Sequence, residues 1–188
     1  MKHTFLLIAM LMPMLFVGHT ARAQNRPAEE KGKELLRLAS EKVRSYRSLR
    51  ASFTYEMDSQ GVKERMDGIL YTAGDKYHMK VGENIFMSDG TTSWTILGDL
   101  DEVHIDLVAN ADGGITPTAL LAEFESGFRA TFIRQERVNG RNADLIDLVP
   151  SQTQAFFKYR LAIDAADQSL IYTIAYDRSG GTYTYRIN

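Results

Sequence analysis

Acid–base chemistry in this chain would run through His78 and His104, since the other two histidines, His3 and His19, sit in the first twenty residues. Glu102, His104 and Asp106 fall two residues apart, a spacing that puts all three on one face of an extended strand. A base built from His104 with Glu102 or Asp106 is the sharpest catalytic reading, but no nucleophile stands beside it in the pattern. Both histidines alternate with apolar neighbours, and a solvated strand face accounts for them. The chain has no cysteine. That excludes a thiol nucleophile, a disulfide framework, a cysteine zinc site and a lipid-modified N-terminal cysteine. The G-x-S-x-G, S-x-x-K, P-loop and G-x-G-x-x-G patterns are absent. Ser88-Asp89-Gly90 reads as a tight turn. The expectation is a protein that is not an enzyme, with no metal and no cofactor.

The composition fits that expectation. In 188 residues, 22 Lys and Arg stand against 24 Asp and Glu, and 44% of the residues are hydrophobic. That is globular composition without the basic footprint of a nucleic-acid binder. Lys2, the apolar run Phe5 to Val17 and the small residues Ala21 and Ala23 form a secretory signal pattern cut after Ala23. The run is shorter than the ~20 residues a membrane helix needs, and Pro13 interrupts it. Residues 1–23 are therefore expected to be a signal peptide, and 24–188 a single periplasmic domain, monomeric, with no nucleic-acid partner.

Leu35, Leu36, Ala39, Val43 and Tyr46 follow helical spacing, with Pro27 near the start. The spacing predicts a helix over 28–47. The period then becomes two: Leu49, Ala51, Phe53, Tyr55 and Met57 alternate with polar residues. Further alternating runs follow at 66–71, 76–81, 85–87, 94–96 and 103–107, punctuated by Gly61, Gly74-Asp75 and Ser88-Asp89-Gly90. Thr116-Pro117 opens a second helical pattern through Leu120, Leu121, Phe124 and Phe128. Strands resume at about 129–138, 141–149, 156–164, 170–178 and 182–187, with Asn139-Gly140 as a hairpin turn. The predicted architecture is mainly β with helices. It is a single curved antiparallel sheet of about 11 strands, an incomplete barrel covered by an N-terminal helix and a short inserted lid helix.

Such a sheet carries more apolar face than two helices cover. Its early strands are rich in aromatic residues and Met, which adapt to an apolar ligand of variable shape. A filled hydrophobic core accounts for the same stripes.

Several short motifs, in order, resemble the outer-membrane lipoprotein carrier family of LolA-like proteins. Leu49-Arg50-Ala51-Ser52-Phe53 resembles the family's L-x-A-x-F opening strand, and Gly68-Ile69-Leu70-Tyr71 its G-x-L second strand. Ser88-Asp89-Gly90 with Trp94 resembles its S-D-G-x-x-x-W hairpin, and Thr116-Pro117 with Leu120-Leu121 its T-P-x-x-L-L helix start. The resemblance implies a periplasmic carrier. It would hold the acyl chains of lipoproteins in a hydrophobic cavity of a half-barrel and shuttle them from an inner-membrane release complex to an outer-membrane acceptor. A lipid-sensing or regulatory envelope domain on the same half-barrel is the alternative. The better-known members carry an Arg soon after the second strand, where this chain has Thr72-Ala73-Gly74-Asp75-Lys76. On this reading the cavity is lined by Phe53, Tyr55, Met57, Leu70, Met79, Met87, Trp94, Ile96 and Ile105. Leu120, Leu121 and Phe124 form the lid face, and Trp94 emission reports a bound acyl chain. Facing follows from alternation, and a slip of one residue inverts a strand's set.

Overall fold

The computed structural model describes residues 26–108 and 127–188. One helix, α1 (Arg26–Arg44), precedes six strands: β1 (Leu49–Ser59), β2 (Val62–Ala73), β3 (Lys76–Val81), β4 (Asn84–Ser88), β5 (Thr92–Leu97) and β6 (Glu102–Leu107). Five more follow: β7 (Phe128–Val138), β8 (Arg141–Pro150), β9 (Phe156–Asp164), β10 (Leu170–Asp177) and β11 (Thr182–Ile187). All 11 form one sheet in the order β6-β5-β4-β3-β2-β1-β11-β10-β9-β8-β7, antiparallel at every pairing. It stays open, with β6 and β7 as its edges. The predicted mainly β, incomplete-barrel architecture is what the chain adopts.

The helix ends earlier than its apolar stripe. The Ser45 hydroxyl donates to the Lys42 carbonyl at 2.7 Å and the Ser45 N–H to the Glu41 carbonyl at 2.9 Å, which closes the last turn. Tyr46 therefore lies beyond α1. Phe128, which helical spacing placed at the end of the second helix, instead opens β7 and packs edge-on against Tyr159, with ring centroids 5.8 Å apart.

Helix α1 packs on β7 and, less, on β8. Leu36 and Ala39 close over Ile146, Leu148, Tyr159, Leu161 and Ile163, all nearly or fully removed from solvent. The approach is close at Gly32, where a Cβ would lie 2.7 Å from the Phe132 backbone nitrogen. Only a residue without a side chain lets the helix axis come this near the strand. Lys31 finishes the contact, its Nζ 3.5 Å from the Phe132 ring centroid and 3.7 Å from the buried Asp144 carboxylate.

Residues paired across an antiparallel ladder share a face. Thr173 pairs with both Leu161 and Tyr185, and Tyr185 with Tyr55, so the face under α1 continues onto β1 and β2. This is the helix side of the sheet. A smaller cluster of Ala143, Leu145, Ala162, Ile171 and Tyr172 lies on the far side of β8–β10. There Arg160 forks onto Asp147 with bonds of 2.6 and 2.8 Å.

Candidate functional site

The helix side of β1–β4 carries its own apolar cluster, separate from the one under α1. Phe53, Leu70, Met79 and Val81 are buried, and Tyr55, Met66, Tyr77 and Phe86 around them are half-buried. The local cause is a cross-strand pair. Phe53 stands opposite Gly68 on β2, and its ring fills the space a Cβ at Gly68 would need. Tyr185 packs on both Phe53 and Tyr55, with ring centroids 5.9 and 5.2 Å away.

A cavity of about 130 Å³ opens where the end of α1 passes over this cluster. Val43 and Tyr46 form its helix wall, Leu49, Phe53 and Leu70 its floor, and Leu170 and Ile187 its flank. Its lining is almost wholly apolar, with Lys42 at the mouth. At this size it is smaller than a typical small-molecule site of roughly 300–1,000 Å³.

Polar groups on the helix side are few. Among the described residues, the buried Tyr159 hydroxyl and the Thr173 Oγ1 have no hydrogen-bond partner. Each unmet hydroxyl costs about 1–3 kcal/mol. Burial pushes the Tyr159 phenol up to about 12. It does the same to Tyr185, up to about 12, with Tyr55, Tyr159 and Tyr183 nearby adding to the effect. A hydroxyl of this kind can donate to an ester or amide carbonyl. It is a poor base at neutral pH.

The structure divides the predicted lining. Phe53, Tyr55, Met57, Leu70 and Met79 share the helix side, joined through the pairs Ala51–Leu70 and Leu70–Met79. Met87, Trp94, Ile96 and Ile105 lie on the far side. The reason is the turn between β3 and β4. Val81 pairs with Asn84 across two residues, Gly82 and Glu83, so Met79 pairs with Phe86, and Met87 pairs with His78. Trp94 stands opposite Met87, and Ile105 opposite Trp94. Phe86, like Met66, Tyr77 and Val81, is on the helix side and outside the predicted lining. The count of residues in the Gly82-Glu83 turn was the signal that could have found it. Leu120, Leu121 and Phe124 lie outside the described residues.

In the later strands a bulge between Tyr176 and Asp177 turns Phe156 toward Tyr159 and Tyr183 and leaves Phe157 exposed. His104 meets Glu102 at 3.2 Å on the exposed helix side of β6. Among the described residues no hydroxyl reaches the His104 ring. No group of three or more His, Cys, Asp or Glu able to hold a metal ion occurs among them. Among the described residues no helix is long and apolar enough to cross a membrane.

No protein-family model matches this chain, and no curated protein matches it. Solved structures do. An uncharacterized conserved protein from Thermus thermophilus superposes with a TM-score of 0.55 at 12% identity, covering 84% of this chain and 88% of that one. A putative outer membrane lipoprotein-sorting protein domain from Vibrio parahaemolyticus gives 0.50 at 12% identity, covering 85% and 91%. A DUF1329 family protein from Desulfovibrio piger gives 0.50 at 9% identity, covering 86% and 91%. At such identities the likeness shows the fold alone: one open antiparallel sheet with a helix on one side, as the order of the elements predicted.

Proposed function

We propose that this protein binds the acyl chains of lipoproteins on the helix side of β1–β4 and carries them through the periplasm from the inner to the outer membrane. The observation that carries the reading is the half-covered sheet. Helix α1 seals β7 and β8, while over β1–β4 it meets only at its end a second apolar cluster, buried at Phe53, Leu70 and Met79 and half-buried at Tyr55 and Phe86, around a small apolar cavity. The likeness to a putative lipoprotein-sorting domain supports the choice of ligand. Export by residues 1–23, with cleavage after Ala23, belongs to the same proposal, as do a release complex and an acceptor as partners.

Burial of a methylene stabilises by ~0.8 kcal/mol, so a chain of about 14 buried methylenes amounts to ~11 kcal/mol. No lipid tail crosses water exposed at that cost. The cavity between Val43 and Phe53 is the point where a tail starts to enter, and the wider Met and Tyr surface is where it comes to lie.

The test is native mass spectrometry of gently purified protein, followed by titration of the delipidated protein with an acylated peptide. Bound lipid or lipopeptide, and slowed hydrogen exchange at residues 43–57 and 66–81, is the expected result. Trp94 emission stays unchanged in this titration, because Trp94 faces the other side of the sheet. If saturating acylated peptide neither binds nor slows exchange in those segments, the carrier reading fails.

A further inference from the structure

The far side of β1–β6 forms two unbroken rows across six strands. One runs Arg50, Tyr71, His78, Met87, Trp94, Ile105. The next runs Ser52, Ile69, Lys80, Ile85, Ile96, Val103. Both are basic toward β1–β3 and apolar toward the edge strand, and neither contains a carboxylate. Val103, Leu107 and Ile105 are 57%, 54% and 63% exposed, so water meets a contiguous apolar edge. The helix side of the same edge strand carries Glu102, His104 and Asp106. A sheet with one free face ordinarily turns its polar residues to water, and β6 presents apolar residues on its far side instead.

Within the two rows the charged side chains are basic, while beside them Asp67 accepts from the Thr54 hydroxyl at 3.2 Å and Asp75, Asp99 and Asp101 lie in the adjoining turns. Among the described residues neither Lys76 nor Lys80 makes an ion pair. Farther along this face Glu56 pairs with Arg65 and Arg186, and Asp58 with Lys63. Asp89 is held by the Thr92 and Thr91 N–H groups, each at 2.8 Å, which lower its pKa, with Lys76 adding less. Trp94 and Tyr71 stand in the row that joins the basic to the apolar part, and Arg50 lies over the Tyr71 ring at 6.0 Å. Exposed apolar side chains, amphipathic rings and lysines without an ion pair on one face make a surface suited to anionic lipid. A second copy placed on the two rows would bring no carboxylate to the lysines.

We propose that this face docks on the surface of an anionic lipid bilayer, with the Val103, Ile105 and Leu107 edge among the acyl chains and Lys76 and Lys80 against the headgroups. The proposal is independent of what occupies the helix side.

Trp94, the single tryptophan, sits inside the proposed contact and reports it directly. The protein is mixed with vesicles of phosphatidylethanolamine and phosphatidylglycerol bearing brominated acyl chains, and with brominated phosphatidylcholine vesicles. The expected result is a blue shift and quenching of Trp94 on the anionic vesicles and far less on the neutral ones. Lys76→Gln with Lys80→Gln weakens the partition about 25-fold, from roughly fivefold for each lysine. Ile105→Ser abolishes the quenching, while circular dichroism stays that of the parent. Binding through the N-terminal apolar run alone leaves Trp94 unquenched and overturns the proposal. So does quenching that the lysine pair does not affect. A lipid-free blue shift that rises with protein concentration, together with a dimer in sedimentation, assigns the face to a second copy and likewise overturns it. None of these outcomes bears on acylated-peptide binding, so the two readings fail separately.

Discussion

The two halves of the sheet share a face, a pairing pattern and an apolar composition, yet they differ in what covers them. Over β7–β11, α1 comes close enough at Gly32 to meet strand backbone, and Ile146, Leu148, Leu161 and Ile163 are sealed off completely. Over β1–β4 α1 reaches only the rim of the cluster, and Tyr55, Met57, Tyr77 and Phe86 stay half-buried around a short buried row. The side chains differ accordingly. Branched aliphatics dominate the fully buried centre of the covered half, with Phe128, Phe156, Tyr159 and Tyr183 at its side, while Met79, Met66 and aromatics, which tolerate a changing neighbour, make up much of the open half. The comparison teaches that one sheet can hold its fold with one end and keep the other end available, provided the stabilising burial is concentrated under the helix.

That division of labour predicts an ordered series of effects. The largest belongs to the sealed half. Ile146→Ala leaves a hole that nothing fills and lowers stability by about 2–5 kcal/mol in urea unfolding. Met57→Ala costs under about 1.5 kcal/mol, since much of its surface is already wet, and instead weakens acyl binding. Equal stability losses at the two sites would erase the distinction. Next comes Gly32→Ala, which presses a methyl group against the β7 backbone and costs about 1–3 kcal/mol. Hydrogen exchange should then quicken at α1 and β7 and not at β2–β4. Gly68→Ala follows at about 1 kcal/mol, because the Phe53 ring can shift into the cavity it lines. Its larger effect is on the cavity, where the moved ring blocks an incoming tail.

The smallest effect is a titration. Free tyrosine ionises near pH ~10, whereas Tyr159 and Tyr185 are held up to about 12 by burial. The folded protein keeps these protons when the unfolded chain has lost them. Their contribution to stability is therefore complete below pH ~10 and falls as pH rises through about 12. Spectrophotometric titration should show two late phenols. If all tyrosines ionise together near pH ~10, the helix side is wetter than its packing implies.

Much of the fold was legible because it is written locally. Alternation at Leu49 to Met57, the Asn139-Gly140 turn and the helical stripe from Leu35 to Val43 each place an element within a few residues of where it lies. The candidate site was legible only in part. Phe53, Tyr55, Met57, Leu70 and Met79 were found together, while Met87, Trp94, Ile96 and Ile105, equally apolar and equally alternating, belong to the opposite surface.

The sequence by itself determined the strands, their turns and which residues within each strand point the same way, since these depend on a period of two and on neighbours in the chain. Only the tertiary structure decided which set in one strand joins which set in the next, and which end of the sheet the helix covers. The physical reason is parity. Two residues at Gly82-Glu83 carry Met79 over to Phe86, and one residue more or fewer would have joined it to Met87 and put the apolar edge of β6 on the helix side.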